Sequence, residues 1–426
     1  MHIAIVGNGV CGMEAALALR RRDSEIRITV VSDEHDHLFS RPALMYVFAG
    51  QMRLEDTEPY DRALYSRMGF ERVRRRVARL EPRTLVFSDQ TSLSFDRLLL
   101  ATGSVARPAA WPGSKGPGVH AFVTLDDLSH LDEAAKKGMR AVVVGGGLIG
   151  VEVAEILRNR GLHVTFVVRE NWYFPLALDS NESALVAEHM RAHGVDVRLG
   201  WTVEEILRKG GGEVRGVKAM GEEIACDLVV VAIGVVPNTE FLSRTVKLSD
   251  GGAVEVDEGF RTSVTDVWAA GDCANVTWAD GTRRPEQLWY TARDQGRLAA
   301  LSMLGDSVVY RRGIPYNSAK FFDLEWTTVG SVPAVLNWDN TPIPKAPGLR
   351  TWFQRVKGRF ESQRIVLGGE TVCGFNMLGG RWNHEPLLQW IEERRSLPFV
   401  LKHLGEARFD EEFAPRFQIS SEARVE

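Results

Sequence analysis

Apolar residues run in short blocks along this chain, and glycine clusters mark where the blocks change from strand-like to helical. The run His2-Ile3-Ala4-Ile5-Val6 predicts a buried strand, Gly7-Asn8-Gly9-Val10-Cys11-Gly12 a tight turn, and residues 13–20 an apolar helix. The same order returns at Ala141-Val142-Val143-Val144, at Gly145-Gly146-Gly147-Leu148-Ile149-Gly150 and in a helix over 151–159. Each unit then continues alike. A second strand follows (28–31; 164–168), and a late strand closes in small residues, Ala101-Thr102-Gly103 in one unit and Ile233-Gly234 in the other. Residues 72–95 read as extended structure, and Pro108, Pro112, Gly113, Gly116, Pro117 and Gly118 mark a crossing between domains.

Both hexads match G-x-G-x-x-G between a strand and a helix, the arrangement that cradles a dinucleotide pyrophosphate. The first glycine allows the turn, the second admits the pyrophosphate to the backbone, and the third lets helix and strand pack closely. The phosphates then rest on a helix N-terminus. Gly7, Gly9 and Gly12 form the first candidate site, and Gly145, Gly147, Leu148, Ile149 and Gly150 the second. An acid about 20 residues past the last glycine supplies an acceptor for a ribose hydroxyl; in the first unit it is Asp33, with Glu34 beside it. Two such units in one chain predict a protein that binds two nucleotides.

Downstream, residues 264–274 predict a strand, a turn at Ala270-Gly271 and the acid Asp272. A helix is expected to open near 284–289 and run through Gly296 to Met303. From Gly313 onward the strands shorten, aromatics and prolines multiply, and no nucleotide fingerprint occurs.

Composition narrows the function classes. The 426 residues suffice for two or three domains, and a 44% apolar, 25% charged chain of net charge −4 offers no basic face for nucleic acid or an anionic membrane. Arg74-Arg75-Arg76 reads as a solvated strand face. No apolar run approaches the roughly 20 residues that span a bilayer. A core strand starting at His2 leaves no room for a cleavable leader, so a cytoplasmic location is expected. Cys11, Cys226, Cys273 and Cys373 lack disulfide or metal-ligand spacing and are expected to be reduced and structural. His384-Glu385 lacks a third ligand, and no metal site is expected.

Together these motifs resemble the two-dinucleotide flavoprotein reductases of the pyridine nucleotide-disulfide oxidoreductase superfamily, most of all the NAD(P)H reductases for rubredoxin and ferredoxin. The resemblance covers residues 1 to about 335. It implies an α/β fold of two Rossmann-like domains, for FAD (1–110 and 242–312) and NAD(P) (111–241), and a C-terminal α+β interface domain (313–426). It further implies an FAD site lined by the first hexad, Asp33, Glu34, Arg41, Pro42, Val77, Ala101, Thr102, Gly103, Gly271, Asp272, Leu288, Trp289 and Phe322. Trp289 and the pair Phe321-Phe322 would border the isoalloxazine, and the helix opening near Trp289 would direct its positive end at the flavin.

Departures from the family pattern define the subtype. The CxxxxC pair of disulfide reductases is missing, as is the lone cysteine that related peroxidases carry near the position of Pro42. With no thiol beside the flavin, electrons have no route into a disulfide. Glu152 matches the glutamate that pairs with a flavin-side lysine in ferredoxin reductases, but the lysine position reads Tyr46. The choice between NAD(H) and NADP(H) stays open: Arg169 suits a 2′-phosphate, while Glu170 repels one or accepts from a ribose hydroxyl, and Ile233-Gly234 close the site. The expected activity is electron transfer between a nicotinamide nucleotide and an iron-sulfur or rubredoxin-like protein, with Glu152 and Trp289 as the catalytic candidates. Two alternatives remain. One is an FAD/NAD-binding subunit of a larger iron-sulfur or molybdenum/tungsten oxidoreductase, docked through aromatics of the C-terminal stretch around Trp382 and Trp390 and an amphipathic segment over 391–413. The other is a non-catalytic redox-signalling flavoprotein.

Overall fold

The computed structural model describes residues 1–278, 281–334, 340–344, 347–409, 419 and 423–425. The chain divides into two compact units, Met1–Arg107 with Val123–Leu128 and Val235–Gly313, and Pro108–Phe122 with Ser129–Gly234 and Ile314–Glu426.

The first unit is built on a five-stranded sheet whose spatial order is Val267–Ala269, Arg97–Leu100, His2–Val6, Arg27–Ser32 and Phe70–Arg74, every pair parallel. His2–Val6 is central because it is apolar on both faces, as a strand covered on both sides must be. The chain moves to one side of it for the second strand and to the other for Arg97–Leu100. That reversal leaves a crevice at the carboxyl ends, where Gly7 and Ala101 meet. Helix Val10–Arg22 covers the sheet, and its last turn, Arg20-Arg21-Arg22, complements the dipole. A carbon on Gly296 would collide with the carbonyl oxygen of Cys11, so helix Trp289–Met303 packs on Val10–Arg22 with no side chain between them. A three-stranded meander, Val77–Glu81, Thr84–Phe87 and Ser92–Ser94, fills the predicted extended region.

The second unit repeats the plan with Asp196–Leu199, His163–Val168, Arg140–Val144, Leu228–Val231 and Val119–His120, again all parallel. Its C-terminal part is an antiparallel sheet, Tyr316–Phe321, Leu324–Gly330, Thr371–Leu378, Ser362–Gly368, Leu349–Arg355 and Arg424–Val425, under helices His384–Glu392 and Leu397–His403. Trp352, Phe375, Trp382 and Trp390 form its core. Trp382 is 2% and Trp390 6% exposed, so these aromatics belong to the core of an interface domain and do not form the docking surface that the larger-complex alternative would use. Beyond residue 409, the predicted amphipathic segment lies outside the described residues. No helix among the described residues is long and apolar enough to cross a membrane.

Candidate functional site

Glycine geometry in the two hexads follows one rule. Gly7 has φ +116°, and a Cβ there would run into the carbonyl oxygen of Ala101; one on Gly12 would strike the carbonyl oxygen of Gly7. Gly9 has nothing within 4 Å of its would-be Cβ. Likewise Gly145, at φ +126°, abuts the carbonyl of Ala232, and Gly150 that of Gly145, while Gly147 faces open space. In each hexad the outer glycines close the turn and the middle one leaves room. Gly9 and Gly147 are also the N-cap residues of helices Val10–Arg22 and Leu148–Asn159, and no side chain caps either. The first backbone N–H groups of both helices are therefore left without a side-chain cap, the arrangement that receives an anion.

Around the first cradle, the two acids after strand Arg27–Ser32 differ. Glu34 accepts both guanidinium nitrogens of Arg41 at 3.0 and 2.6 Å and the backbone N–H of Leu125 at 2.9 Å. Burial alone would raise its carboxyl, but these partners hold it below the ordinary value. Asp33 is exposed, with the Nε of Arg76 3.8 Å away, and its carboxylate is the one open to a hydroxyl. Arg41 also donates to the carbonyl of Val123, and its charge reaches Asp272. Asp272 follows the turn at Gly271 (φ +79°) and accepts the hydroxyl of Ser104 at 2.8 Å; burial raises its pKa against Ser104 and Arg41. Gln295 anchors this turn by accepting the N–H of Gly271 at 2.8 Å. Thus Arg41, Ala101-Thr102-Gly103, Gly271 and Asp272 lie together on the carboxyl side of the sheet. Pro42 is exposed in the turn Arg41–Ala43, and Val77 is buried in the core. Leu288 caps helix Trp289–Met303, whose half-buried first residue, Trp289, packs against the same core. All four cysteines are free, and burial pushes each thiol up, Cys226 to about 12. None is poised as a thiolate.

In the second unit, Arg169 donates to Glu170 at 2.8 Å; the Glu170 carboxylate is buried and the arginine half exposed. The pair is neutral overall. Gly234 (φ +98°) has open space on its Cβ side, next to half-buried Ile233. Glu152, in the first turns of helix Leu148–Asn159, is raised to about 7 by burial and by the nearby Glu155, against the pull of Lys320. Lys320 donates to Glu155 at 2.6 Å. A lysine from strand Tyr316–Phe321 therefore supplies a cation to this acidic helix, rather than one at the position of Tyr46. Phe321 is fully buried, edge-on to Tyr173 at 5.7 Å, and Phe322 packs its ring 4.8 Å from that of His193.

His384 spends its Nε2 on the hydroxyl of Ser318 at 3.0 Å. Among the described residues two other groups could hold a cation: His35 with His37 and Glu58, and His189 with His193 and Asp323. In the first, Arg72 puts a guanidinium 2.7 Å from His37 Nε2, which disfavours a second positive charge. Neither group stood out in the sequence, because each includes a ligand distant in the chain.

A fold with two parallel sheets, each ending in an open glycine cradle at a bare helix N-terminus, defines a class of proteins with room for two dinucleotides. Residues 1–296 match the family model described as pyridine nucleotide-disulphide oxidoreductase, and the chain belongs to that family. It is similar to the 5,5'-dehydrodivanillate O-demethylase ferredoxin reductase subunit of Sphingobium sp. (strain NBRC 103272 / SYK-6), 32% identical over 76% of this chain and 80% of that protein. It is also similar to the epsilon subunit of NADH-dependent phenylglyoxylate dehydrogenase from Aromatoleum evansii, 28% identical over 84% of this chain and 83% of that one. In fold it matches the reductase of the covalent putidaredoxin reductase-putidaredoxin complex, with a TM-score of 0.81 at 23% identity over 96% of this chain and 99% of that chain.

Proposed function

We propose that the chain is an FAD-dependent oxidoreductase that carries electrons between NAD(H) and a small iron-sulfur or rubredoxin-like protein. The observation that carries this reading is the pair of cradles, each with an unobstructed middle glycine and an uncapped helix, in a family member whose nearby relatives include a ferredoxin reductase subunit. FAD would lie along the first cradle, its ribose on Asp33 and its ribityl chain near Asp272, with Arg41 setting the charge between them. When bound it supplies the ability to accept two electrons with a hydride and release them singly. The nicotinamide nucleotide would take the second cradle, between Gly147 and Gly234. The Arg169–Glu170 ion pair favours NAD(H), because it leaves no net positive charge for a 2′-phosphate. Per turnover one NADH becomes NAD⁺ and H⁺, and two one-electron carriers are reduced. Buried, high-pKa cysteines support the exclusion of disulfide chemistry, and free thiols fit a cytoplasmic setting.

A second reading, a flavin subunit of a larger oxidoreductase, is favoured by the likeness to the phenylglyoxylate dehydrogenase epsilon subunit, which covers a larger share of the chain, 84% against 76%. Steady-state assays with NADH and a panel of a [2Fe–2S] ferredoxin, a rubredoxin and a disulfide test the proposal. Turnover with an iron-sulfur or rubredoxin carrier and none with the disulfide supports it; turnover with the disulfide contradicts it. Purification from the native host in a stable complex with iron-sulfur subunits would favour the second reading.

A further inference from the structure

We propose that His189, His193 and Asp323 form a binding site for a divalent transition-metal ion, with zinc the best match to the donor set. His189 and His193 lie four residues apart at the end of helix Ser180–Ala192, so both rings project from one face. Asp323 sits in the turn between strands Tyr316–Phe321 and Leu324–Gly330, next to Phe322 at φ +61°. One carboxylate oxygen of Asp323 is 2.7 Å from the Nε2 of His189 and 3.3 Å from that of His193.

Proton placement makes the arrangement informative. The Nδ1 of His193 is 3.0 Å from the carbonyl oxygen of His189, and a carbonyl only accepts, so Nδ1 carries the proton. The Nε2 of His193 is thereby directed at the carboxylate of Asp323, 3.3 Å away. An Nδ1–H held by a carbonyl, with Nε2 turned to the ion, is how metal-binding histidines are usually oriented, and the ligand atoms of His189, His193 and Asp323 all lie within 4.8 Å of one another. Phe360 at 4.7 Å from His189 and Phe322 at 4.8 Å from His193 brace the rings. Close by, Lys320 is already paired with Glu155, so its charge is partly spent and the Asp323 carboxylate is left to attract a cation.

Two imidazole nitrogens and one carboxylate oxygen suit tetrahedral zinc, in which neighbouring ligands stand about 3.3 Å apart. The His193–Asp323 separation already matches, and the His189–Asp323 contact needs to open by roughly 0.6 Å. Asp323 is 77% exposed, which leaves the fourth position to water. A bound ion would staple the helix to the hairpin within the second unit.

The test uses flavin-loaded full-length protein, stripped with chelator and titrated with zinc chloride by calorimetry, with metal content measured after dialysis and Tm followed in parallel. The expected result is one zinc per chain, a Tm that rises with zinc, and binding at least about tenfold weaker in His193→Gln and in Asp323→Asn. His37→Gln should leave the stoichiometry unchanged. Failure of the wild-type chain to bind zinc would overturn the proposal, as would equal affinity in wild type and the His193→Gln/Asp323→Asn double variant. Far-UV circular dichroism of the variants separates lost ligation from misfolding, since both replaced side chains are at the surface.

Discussion

Replacing Gly147 by alanine separates binding from folding, because the added methyl meets no protein atom within 4 Å. The same change at Gly145 would force a side chain onto φ +126° and into the carbonyl of Ala232. Gly147→Ala should therefore cost no more than the roughly 1 kcal/mol by which alanine is a poorer N-cap than glycine. That corresponds to a Tm shift of only about 1 °C in a chain of this size. The methyl would instead occupy the approach to the bare N–H groups of Leu148 and its neighbours. Hydrogen bonds from such groups to a charged phosphate contribute about 1.5–3 kcal/mol each, so losing one should raise KM for NADH roughly 10- to 150-fold. Ferricyanide as artificial acceptor reads this without any protein partner. An unchanged KM, or a Tm loss equal to that of Gly145→Ala, would refute the reasoning.

Asp33→Ala should weaken FAD retention about 10- to 100-fold with little change in the Tm of the flavin-free chain, since this carboxylate is exposed; flavin fluorescence after dialysis measures it. Glu170→Gln should uncover the charge of Arg169 and raise kcat/KM for NADPH relative to NADH by about tenfold, which parallel steady-state assays would show. Glu152 titrates near 7 in the folded chain against an ordinary 4.5. Its contribution to stability is thus complete below about pH 4.5 and lost as pH rises through 7. Glu152→Gln should therefore be more stable than wild type at pH 8.5, by about 1–3 kcal/mol, and no more stable at pH 4, in urea unfolding curves. Lys320→Met should do the opposite, steepening the loss of stability above neutrality, because it removes the cation that holds the Glu152 and Glu155 carboxyls down.

Local chemistry made much of this molecule legible from sequence. The hexads could be read because each glycine answers to backbone geometry within a few residues, and the late strands because Leu98-Leu99-Leu100 and Leu228 to Val231 are buried on both faces. The helices begin earlier than their apolar positions suggested, at Val10 and Leu148, since the third glycine of each hexad sits inside the helix. What escaped depended on chain partners far apart. Asp33 and Glu34 look equivalent until Arg41 and Leu125 occupy one of them. Lys320 reaches Glu155 across 165 positions, beyond any local pattern. Composition likewise could not tell that Trp382 and Trp390 face inward, because an apolar ring is equally at home in a core or an interface.

The central claim, two dinucleotides serving one electron path, is tested most directly by anaerobic titration of the flavin-loaded protein with NADH, followed by addition of an oxidised ferredoxin. The account predicts bleaching of the flavin absorbance by one equivalent of NADH, its return on adding two equivalents of the one-electron carrier, and loss of the first step in Gly147→Ala at the same nucleotide concentration. A flavin that NADH does not bleach in the wild-type chain would contradict the assignment of the second cradle to the nicotinamide nucleotide.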